Sequence, residues 1–239
     1  MSHDHTTAPP APSSPGGGTP VTPLPGTPPP IKSTKLITTL TVFGAIAGAL
    51  IVTAFQLTKP RIDRHKAEVL QSAAKEVLGQ PATVRTVFIY RGQLLDSLPA
   101  GVDSAGLDRV YLGTDGSGQA KGFAVTAGEP GFSDVISLIF GYEPATGRII
   151  GMKVLEQKET PGLGDRVEKD STFVDEFAGA LSPIKPVKHG QETADKHEVD
   201  TITGATISSR AVVNIINHRL EKIGPLLKGY APRGQGGRS

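Results

Sequence analysis

The segment Asp200–Ser209, which reads DTITGATISS, places small and hydroxyl residues directly before a helical pattern. Gly204 and Ala205 permit close backbone approach, and Thr206 stands just ahead of the predicted helix. The first N–H groups of a helix have no intrahelical acceptor, and the helix dipole is positive there. The segment therefore indicates a place where a phosphate can bind. By spacing alone, Thr206 or Ser208 could equally be an ordinary helix N-cap.

A second candidate segment, Glu159–Gly164, reads ETPGLG and follows a strongly apolar strand pattern. Pro161-Gly162 are preferred central residues of a type II turn, because glycine readily adopts positive φ. Such a turn is expected to leave N–H groups near Gly162–Gly164 free for a phosphate or a planar ligand edge. The alternative is an ordinary turn between strand and loop. Glu156 and Glu159 could form an acid/base pair, but we interpret them as solvated or turn-stabilising carboxylates.

The chain has no cysteine. This excludes disulfides, a thiolate nucleophile, iron–sulfur clusters and Cys-ligated zinc. A redox role would require an organic cofactor or a His/carboxylate metal site. No metal site is predicted, because the histidines at 65, 189, 197 and 218 lack ligand spacing, and His3-Asp4-His5 is a weak site near the terminus. Ser208-Ser209 lacks the context of a nucleophile elbow.

The elements that must position these segments follow from periodicity and turn signals. Helices are predicted at Ile62–Leu78, Asp175–Leu181 and Ser208–Leu226. Strands are predicted at Thr83–Tyr90, Arg109–Leu112, Lys121–Thr126, Val135–Tyr142 and Arg148–Glu156. This mixed order predicts an α+β domain with an antiparallel-rich sheet and flanking helices, rather than a doubly wound sheet.

An uncharged stretch of 23 residues, Leu36–Thr58, precedes the predicted domain. As a helix it would be about 34 Å long, enough to cross a hydrocarbon core of about 30 Å. It is longer than a signal-peptide core, and Val52-Thr53-Ala54 is a poor cleavage site, so an uncleaved single-pass anchor is expected. Gly44 and Gly48 form a small-residue face that could pack on another membrane helix.

Composition divides the rest of the chain. Ten of the 20 prolines lie within residues 1–30, which predicts a disordered Pro-rich tail, and residues 228–239 predict a flexible basic tail. The domain is predicted to span residues 60–227. Three of the 25 basic and one of the 23 acidic residues precede residue 60, so 22 of each remain. A formally neutral domain gives no indication of nucleic acid binding.

Together, ETPGLG at Glu159–Gly164 and the D-x-x-T-G-A-T pattern at Asp200–Thr206 resemble the covalently flavinylated FMN-binding domain family. Its members include the G subunit of Rnf-type complexes and the C subunit of the sodium-pumping NADH:quinone reductase. The resemblance extends over residues 31–227 and includes the anchor, the segment from Phe132 to Gly164 and the closing helix. The sequence GDRVEKDSTFVDEF after the loop is more similar to the Rnf type.

The resemblance implies FMN esterified through its phosphate to Thr206 by a separate flavin transferase that uses FAD. The isoalloxazine would lie against the Glu159–Gly164 turn. The cofactor-binding candidates are Asp200, Thr203, Gly204, Ala205, Thr206, Glu159, Thr160, Gly162 and Leu163. The implied function is electron transfer between ferredoxin and NAD within an ion-translocating complex, with other membrane and redox subunits as partners and no catalytic residue in this protein. The alternatives are the C subunit of the quinone reductase and a non-flavinylated, membrane-tethered scaffold module.

Two departures from the family pattern matter: Thr203 replaces a common serine, and Gln157 stands where related proteins often have histidine. A proton-handling role at position 157 is therefore not expected. The resemblance also implies a bacterial inner-membrane protein with its FMN domain on the extracytoplasmic side. Against this, two lysines precede the apolar stretch whereas Lys59, Arg61, Arg64 and Lys66 follow it, which by the positive-inside rule favours a cytoplasmic domain. We give the resemblance more weight, because partner helices can override so small a charge difference.

Overall fold

A computed structural model describes residues 33–104, 106–191 and 193–230. The predicted tail at 1–30, with His3-Asp4-His5, lies outside the described residues, as does 231–239. The chain separates into two compact units, one ending at Thr58 and the other beginning at Lys59.

The first helix, α1, runs without interruption over Ser33–Val77. The sequence predicted an anchor at Leu36–Thr58 and an amphipathic helix at Ile62–Leu78. The structure joins both segments in one helix, and Pro60 lies inside α1. Proline removes one backbone donor, and the helical hydrogen bonds continue on both sides of it. Within α1, an apolar window with no buried residue is long enough to cross a membrane.

The second unit is built on a six-stranded antiparallel sheet in the order β2-β1-β3-β4-β5-β6. Its strands are β1 Thr83–Tyr90, β2 Gln93–Leu95, β3 Arg109–Thr114, β4 Ala120–Pro130, β5 Val135–Glu143 and β6 Arg148–Glu156. The five predicted strands are all present, and the antiparallel-rich α+β fold is confirmed. The three-residue edge strand β2 is too short to produce a recognisable pattern.

The region after β6 differs more from the prediction. It contains α2 Arg166–Lys169, α3 Ser171–Glu176 and a parallel pair, β7 Lys185–Lys188 and β8 Glu198–Thr201. The helix predicted at Asp175–Leu181 is misplaced, because Gly179 has a φ of +96° and Leu181 bridges to β6. The strands β7 and β8 are short and polar, and they pair with each other. Neither has an apolar pattern of its own by which it could be recognised in the sequence.

The final helix, α4 Thr206–Lys228, begins two residues before the predicted start. Its apolar side chains Val212, Val213, Ile215, Ile216, Leu220 and Ile223 are buried in the main core with one face of the sheet. Tyr230 packs edge-on against Phe123, and its hydroxyl donates to Asp96 over 2.6 Å. The first residues assigned to the basic tail, Lys228–Tyr230, are therefore part of the folded domain.

The other face of the sheet is covered by the last turns of α1. Ala73, Ala74, Val77 and Leu78 form a second cluster there with Tyr111, Ala124 and Ile139. The approach is close at Gly141 of β5, where a Cβ atom would overlap the carbonyl oxygen of Val77. The sheet is therefore held between α4 and the end of α1.

Candidate functional site

A cavity of about 330 Å³ lies where three segments of the second unit meet. The segments are the turn between β4 and β5, the loop after β6 and the start of α4. Its lining residues are Phe132, Glu159, Thr160, Leu163, Gly164, Gly204, Ala205, Thr206, Ile207 and Ser208. The structure therefore brings together the two segments that the sequence singled out, although about 40 residues separate them in the chain.

The loop after β6 forms the predicted type II turn. Gly162 has a φ of +78°, and the N–H of Leu163 donates to the carbonyl of Thr160 over 3.2 Å. This bond corrects one expectation, since the Leu163 N–H is used within the turn and is not available to a ligand. The exposed Leu163 side chain is what the turn presents to the cavity.

Glu159 joins the three segments. Its Oε1 accepts hydrogen bonds from the N–H groups of Phe132 and Ser133, each over 3.0 Å, and of Asp134 over 3.4 Å. Its Oε2 accepts from the Ser208 hydroxyl of α4 over 2.7 Å. The side chain is 5% exposed. The interpretation of Glu159 as a solvated carboxylate is therefore wrong, and its turn-stabilising role extends to two segments distant in sequence.

The environment of Glu159 keeps it ionised. Burial alone raises the pKa of its carboxyl, but the hydrogen bonds from Ser208 and from the turn N–H groups outweigh burial and leave the pKa below its usual range. Both oxygens are occupied by donors, which does not suit a proton-transfer role. Gln157 supports this arrangement, because its Oε1 accepts from the Glu159 N–H over 2.8 Å and its Nε2 donates to Glu168 over 2.9 Å.

The residues before α4 form a second tight turn. Gly204 has a φ of +86°, and the Ala205 N–H donates to the Ile202 carbonyl over 2.9 Å. Ala205 occupies the N-cap position without a side-chain hydrogen bond, and Thr206 is the first helical residue. The first backbone bond of the helix runs from Ser209 N–H to Ala205 O, so the N–H groups at 206–208 lie ahead of the helical ladder.

Neither hydroxyl that the sequence offered as an N-cap has that role. Thr206 is inside the helix, half-buried, and lines the cavity. Ser208 donates to Glu159. The buried Ser209, which the sequence did not offer as a cap, instead accepts from the Ile202 N–H over 3.1 Å and donates to the Ala205 carbonyl. The Thr206 hydroxyl therefore takes no part in holding the helix start.

An exposed apolar rim surrounds the cavity. Among the described residues outside α1, the large apolar side chains that are exposed are Phe132 at 65%, Ile207 at 58%, Leu163 at 52% and Val135 at 47%. Three of the four line the cavity, and Val135 is three residues from Phe132. Leaving such groups in water is unfavourable, and their concentration at one place indicates a surface that is covered by an apolar or aromatic partner.

Six of the nine predicted cofactor residues line the cavity: Glu159, Thr160, Leu163, Gly204, Ala205 and Thr206. Gly162 does not line it, although its φ shapes the turn. Thr203 and Asp200 lie instead in a neighbouring cavity of about 240 Å³. There Arg166 Nη1 donates to the Thr203 carbonyl over 3.1 Å, and Asp200 Oδ2 lies 2.9 Å from His189 Nδ1.

The lining residues that the sequence did not nominate are Phe132, Gly164, Ile207 and Ser208. Phe132 belongs to a turn far from both motifs, and no local signal distinguishes it. Gly164 is required by close approach, because a Cβ there would lie 2.7 Å from Glu159 Oε2 and 2.9 Å from Ser208 Oγ. Within the described residues, no group of three or more His, Cys, Asp or Glu side chains is arranged to hold a metal ion.

Comparison with known proteins gives matches over the same region. Residues 131–221 match the family model described as an FMN-binding domain. The chain is similar to proteins named as the G subunit of an ion-translocating oxidoreductase complex. One, from Methanosarcina acetivorans, is 32% identical over 190 residues, covering 80% of this chain and 94% of that protein. Another, from Vibrio vulnificus, is 30% identical over 189 residues, covering 77% and 85%.

The fold is similar to that of a solved structure. The crystal structure of NqrC from Shewanella oneidensis superposes with a TM-score of 0.61 at 20% identity, covering 70% of this chain and all of that chain. At this identity the match establishes a shared fold only. It agrees with the antiparallel-rich α+β architecture described above.

Proposed function

Because the chain belongs to the family of G subunits of ion-translocating oxidoreductase complexes, we propose that it is a membrane-anchored flavoprotein that carries electrons within such a complex. The proposal depends chiefly on one observation: a cavity rimmed by exposed apolar side chains opens beside the threonine that begins α4. An apolar rim suits the flat face of a flavin ring, and a helix N-terminus suits its phosphate.

In this proposal Thr206 holds FMN through a phosphoester to its hydroxyl. The hydroxyl suits this role because it takes no part in capping the helix, and because the N–H groups at 206–208 precede the helical ladder and can donate to phosphate oxygens. Leu163, Phe132 and Ile207 would pack on the ring. When bound, FMN supplies the redox chemistry, while the protein fixes its position and its surroundings.

Glu159 would affect the bound flavin indirectly, by holding the shape of the cavity and by its own negative charge. It holds the three lining segments together and places a carboxylate with lowered pKa at the base of the cavity. A fixed negative charge there disfavours the addition of negative charge to a bound group nearby. Gly162 and Gly204 supply the turn conformations, and Thr203 and Asp200 would support the loop from the neighbouring cavity.

The proposal extends to maturation and partners. A flavin transferase would form the phosphoester using FAD, and ferredoxin and NAD would be the electron-carrying substrates of the whole complex. The apolar helix α1 would anchor the protein as a single pass in the cell membrane, with the FMN domain on the extracytoplasmic side. No catalytic residue is assigned to this chain, because its role is to relay electrons between other members of the complex.

The decisive experiment compares Thr206→Ala with the wild-type chain in cells that contain the transferase. Denatured protein is separated on a gel and viewed under ultraviolet light. The wild type should give a fluorescent band, and Thr206→Ala should give none. Thr160→Ala is the matched control, since Thr160 is the other threonine lining the cavity, and its band should persist. A band lost in Thr160→Ala but kept in Thr206→Ala would place the attachment elsewhere.

Two other functions give different outcomes. If the wild type carries no covalent flavin in cells containing the transferase, the chain is a tethered scaffold that retains the fold. If it carries flavin but purifies with the components of a sodium-translocating quinone reductase, it is the C subunit of that complex, whose fold it shares. The genes adjacent to this one would separate these two complexes.

A further inference from the structure

A second cavity in the same unit lies between the later part of α1 and the strands β1 and β3. Its volume is about 520 Å³. It is lined by Asp63, Lys66, Ala67, Leu70 and Gln71 from the helix and by Val84, Thr86, Arg109 and Tyr111 from the strands. It shares no residue with the candidate flavin cavity, and the proposed function assigns it no role.

The charge of this cavity is not balanced internally. Lys66 and Arg109 make no side-chain ion pair or hydrogen bond with any part of the chain that the structure describes. Asp63 is the one carboxylate among the lining residues. Two cations and one anion leave a net positive cavity, which is suited to an anionic ligand.

Neutral donors complete the lining. Tyr111 is 8% exposed, and burial raises the pKa of its hydroxyl although the nearby Arg109 lowers it, so at neutral pH the hydroxyl is a donor. Gln71 and Thr86 add an amide and a hydroxyl. Ammonium, guanidinium, hydroxyl and amide donors together are suited to phosphate oxygens. The apolar Leu70 and Val84 leave room for a hydrocarbon portion beside the anionic group.

The position of the cavity in the chain identifies the source of the phosphate. Lys66 follows Thr58, the last residue of the uncharged stretch, by eight residues within α1. A helix covers eight residues in about 12 Å, while the headgroup layer of a bilayer is about 5–8 Å thick. Helical side chains tilt toward the N-terminus, and lysine is long enough to reach back to that layer.

We propose that this cavity binds the phosphate headgroup of an anionic phospholipid from the leaflet next to the domain. Lys66 and Arg109 would contact the phosphate, Tyr111 would donate to it, and Leu70 and Val84 would contact the start of the acyl chains. The proposal rests on the membrane anchoring in the proposed function. A lipid is favoured over a soluble phosphate because lipid headgroups are concentrated at the end of the anchor.

The test uses the full-length protein, purified in detergent and freed of lipid. Binding of dioleoylphosphatidylglycerol and of dioleoylphosphatidylcholine is measured by native mass spectrometry. The wild type should prefer phosphatidylglycerol. The double variant Lys66→Ala/Arg109→Ala should weaken its binding by at least about tenfold, because charge-assisted hydrogen bonds to the phosphate are lost. Asp63→Asn should strengthen it, because the opposing carboxylate is removed.

The matched control is Lys75→Ala/Lys121→Ala. It removes one lysine from α1 and one from the sheet, and neither lines the cavity. Its binding should equal that of the wild type. Equal loss in control and test variants, or no lipid preference in the wild type, would refute the proposal. Equal affinity for soluble glycerol 3-phosphate would also refute it, by identifying a soluble ligand.

Failure of this site and failure of the proposed function give separate signals. If extraction with carbonate releases the wild-type chain from membranes, the prediction that α1 anchors the protein in the membrane is refuted. If the wild type resists carbonate and carries covalent flavin, but shows no lipid preference that depends on Lys66 and Arg109, only the headgroup site is refuted.

Discussion

Hydrogen bonds from two separate segments hold the Glu159 side chain in place at the candidate site. It is buried, it accepts from three N–H groups of one turn, and it accepts from a serine of α4. Hydrogen bonds to a buried charge are among the stronger ones in proteins, and loss of such an acceptor leaves its donors without partners. Its effect at the cavity is therefore to position the residues that line it.

Replacing Glu159 with glutamine should destabilise the domain by about 2 kcal/mol at neutral pH, because hydrogen bonds to a charged acceptor are worth more than those to an amide. Urea unfolding measures this. The lowered pKa fixes the sign of the pH dependence. The stabilisation is full above the unfolded-state pKa, about 4.3, and is lost as pH falls through the lower folded-state pKa. The difference between wild type and variant should therefore shrink below about pH 4.

Glu156→Gln is the control for this prediction. Glu156 is three residues earlier, at the exposed end of β6, and does not line the cavity. Its replacement should change the unfolding free energy little at any pH. A pH-independent difference between wild type and Glu159→Gln would mean that the carboxylate charge does not stabilise the fold.

At the scale of elements, the sheet is held in place by helices packed on both of its faces. The end of α1 comes close to the sheet at two paired glycines, Gly141 of β5 and Gly151 of β6. A Cβ at Gly141 would overlap the Val77 carbonyl oxygen, whereas one at Gly151 would lie 3.4 Å from that oxygen. The backbone atoms of α1 cannot move aside as a flexible side chain would.

This difference predicts that Gly141→Ala will destabilise the domain by about 2 kcal/mol through overpacking. Gly151→Ala, its cross-strand neighbour, should change stability by less than about 0.5 kcal/mol. Thermal unfolding of the two variants followed by circular dichroism provides the comparison. Equal stability of both would show that α1 can shift away from the sheet without cost.

At the scale of the whole molecule, two arguments bear on the side of the membrane on which the second unit lies. The charge difference across the apolar stretch favours the cytoplasm, whereas the proposed flavin attachment by an external transferase would require the outside. The proposed headgroup cavity gives Lys66 a local role as a lipid ligand. A basic residue with such a role would be a weaker indicator of topology, so the charge difference would count less against the extracytoplasmic orientation proposed above.

Protease treatment of spheroplasts tests this orientation. An extracytoplasmic domain should be digested in intact spheroplasts, and a cytoplasmic marker protein should remain intact. Survival of the domain until the spheroplasts are lysed would place it in the cytoplasm. That result would also exclude flavin attachment by a transferase acting outside the cell.

The sequence by itself determined the features that depend on local pattern. These are the apolar stretch, the five long strands, the closing helix, the turn at Pro161-Gly162 and the two motifs with Thr206. Apolar periodicity and turn chemistry act over a few residues, so they can be read along the chain. The continuity of α1 through Pro60 could not be read this way, because proline normally interrupts a helix and no local signal shows that this helix continues through it.

Only the tertiary structure decided which residues meet. Phe132 lines the cavity, whereas Asp200 lies outside it and contacts His189. Glu159 is a buried acceptor because Ser208 and the turn after β4 both donate to it. Lys66 and Arg109 share a cavity although 43 positions separate them. Such contacts join segments far apart in sequence, and the burial and hydrogen bonding that define each side chain's role exist only once the sheet and helices have packed.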